Sequence, residues 1–108
     1  MGPGVMLKNC RNCTVSHNSI HDFFYTGITT GSGFNSWMIR DTTLSFNEIH
    51  TLGQKTLSDM GCVYVWGGNQ SGLLVDNNLC HNVSSYAYLL RAIYRRKVHQ
   101  FTTVFGSI

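Results

Sequence analysis

A seven-residue phrase occurs three times, and it constrains this chain more than any other feature. It reads Val15-Ser-His-Asn-Ser-Ile-His21, then Leu44-Ser-Phe-Asn-Glu-Ile-His50, then Val75-Asp-Asn-Asn-Leu-Cys-His81. Each copy opens on an apolar residue, carries Asn fourth, a small or apolar residue sixth, and closes on His. The copies start at positions 15, 44 and 75, offsets of 29 and 31 residues. Self-similarity at a period of roughly 20–50 residues marks an architecture in which each repeat buries its apolar side against the next.

Each repeat is made of short strands. Triplets with strand character precede each Asn: Cys13-Thr-Val15, Thr42-Thr-Leu44 and Leu73-Leu-Val75. Gly-led apolar runs follow the phrase, at Gly27-Ile-Thr29 and Gly61-Cys-Val-Tyr-Val-Trp66. Strands this short, separated by Asn, Gly and Ser turns, suit a winding coil of parallel sheets. The composition agrees. Charged residues make up only 12% of the 108, and Asn and Gly are plentiful, whereas a helical bundle would use far more Glu, Lys, Ala and Leu.

Superimposing the copies stacks Val15, Leu44 and Val75 in one column, Cys13, Thr42 and Leu73 in a second, and Ile20, Ile49 and Cys80 in a third. These columns predict the inside of the coil. Asn18, Asn47 and Asn78 fall at the bend before the third strand. Asn tolerates left-handed backbone, and stacked amides can hydrogen-bond in series. The three are therefore expected to form a structural ladder. His21, His50 and His81 form a further column on the outer face, spaced as adjacent strands are. Such a column could hold a metal or bind a sugar chain, although an outward polar position is also what a buried Ile or Cys neighbour leaves. No metal is assigned from the sequence.

The net charge of +3 is unevenly distributed. Residues 1–88 hold four basic residues (Lys8, Arg11, Arg40, Lys55) and all five acids, a net of −1. Residues 89–108 hold Arg91, Arg95, Arg96 and Lys97 and no acid. A general nucleic-acid surface is therefore not expected. No apolar run reaches the roughly 18 residues of a membrane span, and the first residues lack the parts of a signal peptide. The expectation is a chain that begins inside a larger fold. Cys10-Arg-Asn-Cys13 has the spacing of a metal knuckle, but Cys62 and Cys80 supply no second pair, so buried free thiols are expected. Three glycosylation sequons (Asn12-Cys-Thr14, Asn69-Gln-Ser71, Asn82-Val-Ser84) lean toward secretion.

Two stretches carry a family likeness. Asn18-Ser-Ile-His-Asp22 with Tyr25-Thr-Gly-Ile28, and Leu57-Ser-Asp-Met-Gly61 running into Val63-Tyr64, resemble the right-handed parallel β-helix proteins of the pectin-lyase-like family over residues 5–88. The resemblance implies an all-β solenoid, here about three rungs of an incomplete fold. It also implies a secreted, carbohydrate-active parent, a hydrolase or lyase of polysaccharides. Relatives continue past Tyr88 with glycines, a Trp, an Ile-Tyr pair and two acids. This chain reads Leu89-Leu-Arg-Ala-Ile-Tyr94-Arg-Arg-Lys-Val98 instead. Residues 1–88 are thus expected to be β-helix rungs. Residues 89–108 are expected to be an altered basic tail, with a helix over 88–98 as the alternative for that segment.

Glycoside hydrolysis needs two carboxyl groups, and elimination needs a base with a metal or Arg to neutralise the uronate. Asp59 is the catalytic candidate, beside the longest loop, and the resemblance implies an acid there. Asp22 is expected to be a turn residue, and Glu48 a plain surface residue. Tyr64 and Trp66, on one strand face, are candidate sugar platforms with His50 and His81. No second acid pairs convincingly with Asp59, so this chain alone is expected to be inactive. A non-catalytic scaffold for glycans or proteins is the other reading. Expected partners are a polysaccharide and the missing rungs, with neither nucleic acid nor membrane. No cofactor is expected, save calcium if the parent is a lyase.

Overall fold

The computed structural model describes residues 2–31, 38–54, 60–66, 69–84, 90–96 and 100–104, with the backbone alone for 66, 69, 90–96 and 100–104. The first circuit holds β1 (Val5–Leu7), β2 (Cys10–Arg11), β3 (Thr14–Ser16) and β4 (Ser19–Phe23). The second holds β5 (Ile28–Gly31), β6 (Ile39–Arg40), β7 (Thr43–Ser45) and β8 (Glu48–Leu52). The third holds β9 (Met60–Trp66), β10 (Asn69–Asp76) and β11 (Leu79–Val83), and β12 (Leu90–Arg96) and β13 (Gln100–Val104) begin a fourth. Among the described residues there is no helix.

Every pairing is parallel and joins one circuit to the next. The first sheet runs β1-β5-β9-β12, the second β3-β7-β10-β13 and the third β4-β8-β11, with a short β2-β6 pair between the first two. The repeat phrase sets the register: Val15 pairs Leu44 and Leu44 pairs Val75, while His21 pairs His50 and His50 pairs His81. A coil that places each circuit directly above the last is a parallel β-helix.

The interior is the set of stacked aliphatic columns. Ile28, Ile39, Leu44, Ile49, Leu73, Val65 and Val75 are fully buried. Each such side chain contributes roughly 1.5–3 kcal/mol when withdrawn from water.

Three columns of left-handed backbone turn the chain at its corners. They are Asn12, Asp41 and Gly72 (φ 57°, 49° and 74°); His17, Phe46 and Asn77 (57°, 54° and 53°); and Asp22, Thr51 and Asn82 (64°, 54° and 54°). The second column corrects the expectation for the bend: the residue before each ladder Asn is left-handed, and the ladder Asn is not. The reason is that the Asn side chain must point inward to reach its neighbours, so the turn is displaced one residue upstream. The third column is a left-handed residue within β4, β8 and β11, in the same place in each strand. It directs His21 and Asp22 both outward and returns Phe23 to the inside, where Phe23 pairs Leu52 and Leu52 pairs Val83.

The cysteines also depart from expectation. They form two disulfides, Cys10–Cys13 and Cys62–Cys80, each with Cα atoms 6.1 Å apart, within the range a disulfide accepts. Cys62 lies on β9 and Cys80 on β11, and their buried side chains meet where the coil brings the first and third sheets close together. Burial alone indicated thiols; the winding supplies the partner.

The basic segment follows the coil where it is described. Leu90–Arg96 pairs with β9 from Leu90↔Met60 to Arg96↔Trp66, and Gln100–Val104 pairs with β10. The backbone there is strand, not the alternative helix.

Candidate functional site: the outer face of the third sheet

Period-2 alternation places Ser19 and His21 outward on β4, Glu48 and His50 on β8, and Leu79 and His81 on β11, with Ile20, Ile49 and Cys80 inward between them. The imidazoles of His21, His50 and His81 stack in one column. Ring centroids are 4.8 Å apart at both steps, with interplanar angles of 13° and 6°. The face is open to solvent: the His21 side chain is 46% exposed and that of His81 37%.

Each imidazole has a different polar partner. His21 Nδ1 lies 2.6 Å from Asp22 Oδ2, and His50 Nδ1 lies 2.9 Å from Thr51 Oγ1. These contacts exist because the left-handed Asp22 and Thr51 point outward beside the His that precedes them. His81 Nε2 lies 2.9 Å from Glu48 Oε1, a diagonal contact between circuits. With the ring nitrogen donating, that hydrogen bond holds the Glu48 carboxyl below the ordinary glutamate range. Charge on His50, His81 and His21 acts in the same direction, against partial desolvation.

Along the strand from Glu48, the corner carries a second stack. His17 and Phe46 lie face to face, with centroids 5.3 Å apart and planes within 2°. Phe46 is 55% exposed, and Leu79, in register with Glu48, is also exposed.

Asn18, Asn47 and Asn78 line the inside of the same corner. Asn47 Nδ2 donates to Asn78 Oδ1 (2.9 Å) and to the Val15 carbonyl (3.0 Å). Its Oδ1 accepts from the Asn18 backbone N–H (3.1 Å) and from Asn18 Nδ2 (3.0 Å). Its backbone N–H donates to Asn78 Oδ1 at 3.0 Å. The Asn47 side chain thus makes all four hydrogen bonds an amide can make.

The other residues singled out from the sequence fall elsewhere. Tyr64 is 2% exposed, with its ring 6.4 Å from that of Tyr25. Its ring is enclosed, as a packing role for this residue requires. The Trp66 side chain and the whole of Asp59 lie outside the described residues. Glu48, read from sequence as a plain surface residue, is the carboxylate that reaches between circuits on this face. The signal that would have found it is simple: it stands two residues before His50 on one strand face, and one circuit from His81. A separate hollow of about 320 Å³, lined by Asn9, Cys10, Arg11, Met38 and Arg40, lies at the β2-β6 pair.

A family model described as "Right handed beta helix region" matches residues 1–102. No curated protein and no solved structure matches the chain. With the winding, the ladder and the family match in agreement, the chain belongs to the right-handed β-helix family.

Proposed function

We propose that this β-helix binds a polysaccharide along its winding axis, on the outer face of β4, β8 and β11. The observation that carries this reading is the column of three imidazoles at 4.8 Å intervals beside the exposed Phe46 ring. A polysaccharide repeats one chemical unit along its length, and a solenoid repeats one set of side chains along its axis. Successive sugars would therefore meet equivalent groups. Imidazole and carboxylate hydrogen-bond hydroxyls, and an exposed aromatic ring packs against the C–H face of a sugar. Further coils from a longer parent would extend the column. The two disulfides support a secreted setting.

Cleavage by the parent is the finer proposal. Asp59 immediately precedes β9 in sequence and would serve as one carboxyl group of the pair that hydrolysis needs. A non-catalytic scaffold uses the same binding face without that pair.

The test is retention of the full chain in affinity gels containing a panel of neutral and uronate polysaccharides, run in chelator. Retention on at least one polymer is expected, and it falls about fivefold in the double substitution His17→Ala, Phe46→Ala. Asp59→Asn is expected to preserve retention and abolish any cleavage. No retention on any polymer, or full retention by the double variant, would overturn the reading.

A further inference from the structure

We propose that Glu48, His50 and His81 form a binding site for a divalent transition-metal ion of the zinc, nickel or copper class. The three residues offer one ligand atom each, all within 4.8 Å of one another. The site does not depend on the polysaccharide reading.

The fold brings these groups together and holds their backbones still. Glu48 and His50 share one face of β8, and the ladder sets His81 directly beside His50. Between them, Ile49 is fully buried and Cys80 is tied through its disulfide to β9. The strands are therefore fixed from within, and only side-chain torsions need to change on binding. Tetrahedral coordination with bonds of 2.0–2.1 Å places ligand atoms about 3.3 Å apart. His81 Nε2 and Glu48 Oε1 are already 2.9 Å apart. A tilt of the His50 and His81 rings toward each other, from their near-parallel stack, closes the rest. The ion takes the place of the proton that His81 now shares with Glu48.

The surrounding contacts orient the ligands. Thr51 Oγ1 engages His50 Nδ1 at 2.9 Å, which leaves Nε2 as the ligand atom. His21 stacks on the opposite side of His50 and is engaged by Asp22. It stands outside the three-residue group. Two neutral imidazoles and one carboxylate are borderline donors with a single negative charge. They suit zinc, nickel or copper and are poor ligands for calcium, which takes oxygen donors. Because the face is open, water completes the coordination sphere. The bound ion would clasp β8 to β11, one circuit to the next.

The experiment is calorimetric titration of the full, chelator-treated chain with ZnCl2 alone, with no carbohydrate present, and with CaCl2 in parallel. One zinc per chain is expected, with a roughly micromolar dissociation constant. Zinc is also expected to raise the melting temperature. Each of Glu48→Gln, His50→Ala and His81→Ala should weaken binding about tenfold or more. His21→Ala should weaken it less than about threefold. These positions are on the surface, and circular dichroism checks that each variant keeps the native strand signal. If a variant fails to fold, imidazole nitrogen shifts in the wild-type chain decide instead: zinc should move the His50 and His81 resonances and leave His21 nearly unchanged. Absent saturable zinc binding, equal affinity for calcium, unchanged affinity in the three variants, or an equal loss in His21→Ala would overturn the site.

Discussion

The coil carries two columns of polar side chains three residues apart, and they do opposite things. Asn18, Asn47 and Asn78 point inward, and Asn47 is 1% exposed with every hydrogen-bonding group of its amide matched. His21, His50 and His81 point outward at the same axial spacing, and each ring has one polar partner and an open edge. Same repeat, same register, same circuits: the direction of the side chain separates structure from availability. Where the inward column is buried, at Asn47 and Asn78, its polar groups must satisfy one another. An outward column is under no such demand, so its remaining nitrogen positions can meet a ligand.

The sharpest way to break this contrast is to remove one member from each column. Asn47→Ala removes the acceptor of the Asn18 backbone N–H and Nδ2 and the donor to the Val15 carbonyl, whereas Asn78 Oδ1 keeps the backbone N–H of residue 47. Leaving several part-buried groups unpaired is expected to cost about 3 kcal/mol. His50→Ala removes a half-buried ring on the open face and should cost about 1 kcal/mol or less. Urea unfolding of both variants measures the difference. Equal losses would mean that the outer stack also holds the fold together.

The disulfides extend the comparison from inside to rim. Cys62 and Cys80 close a loop with a sequence separation of 18 and link two sheets through the interior. Replacing both with Ser is expected to cost about 3 kcal/mol, the loop-closure value for a span of this order. Cys10 and Cys13 are only three residues apart and close a corner, so Cys10→Ser with Cys13→Ser should cost clearly less. Unfolding midpoints of the two double variants rank them. A larger loss at the corner would show that loop length does not set the ranking.

Much of this was legible in the sequence because the repeat is written in residue types that stack. Val15, Leu44 and Val75 declare an inward column, and the His column follows from alternation. What stayed hidden depends on backbone geometry within the repeat. A left-handed residue is easily read at Asn77 or Gly72, but not at Phe46, whose side chain disfavours it. The left-handed residue after each His, which turns Asp22 and Thr51 outward to meet the rings, leaves no compositional trace. The Cys62–Cys80 bridge requires knowing that the winding brings β9 and β11 together. Glu48 was overlooked because its partner lies 33 residues away in sequence, across one circuit.

Phe46 offers a finer probe, since the same corner position holds Asn77 one circuit on. Left-handed backbone costs a non-Gly residue roughly 1–2 kcal/mol, and Asn bears it more easily. Phe46 is largely exposed, so its replacement sacrifices little burial. Phe46→Asn is expected to stabilise the chain by about 0.5 kcal/mol after loss of the stack on His17. It should also weaken polysaccharide retention. Opposite signs in unfolding and retention would mark Phe46 as a ring kept for contact. A clear destabilisation would assign it to structure, alongside the inner ladder.

The smallest effect lies at Glu48, and it tests whether the outer column is electrostatically connected between circuits. The His81 hydrogen bond lowers the carboxyl pKa in the folded chain, helped by the neighbouring imidazoles. A lowered folded pKa means that the interaction favours folding above the unfolded glutamate pKa and is lost as pH falls through the folded value. The carboxylate is exposed, so the consequence for overall stability should be hard to detect, and the titration itself is the informative readout. In chelator-treated protein, the Glu48 carboxyl carbon should titrate below an unfolded-peptide glutamate, and His81→Ala should raise its midpoint toward that reference. His21→Ala should move it least, because His21 acts only through space and is the weakest of the named contributions. A midpoint insensitive to His81 would mean that the Glu48 contact does not couple the circuits electrostatically, leaving the ring stacks and the inner Asn column as the side-chain links described at this corner.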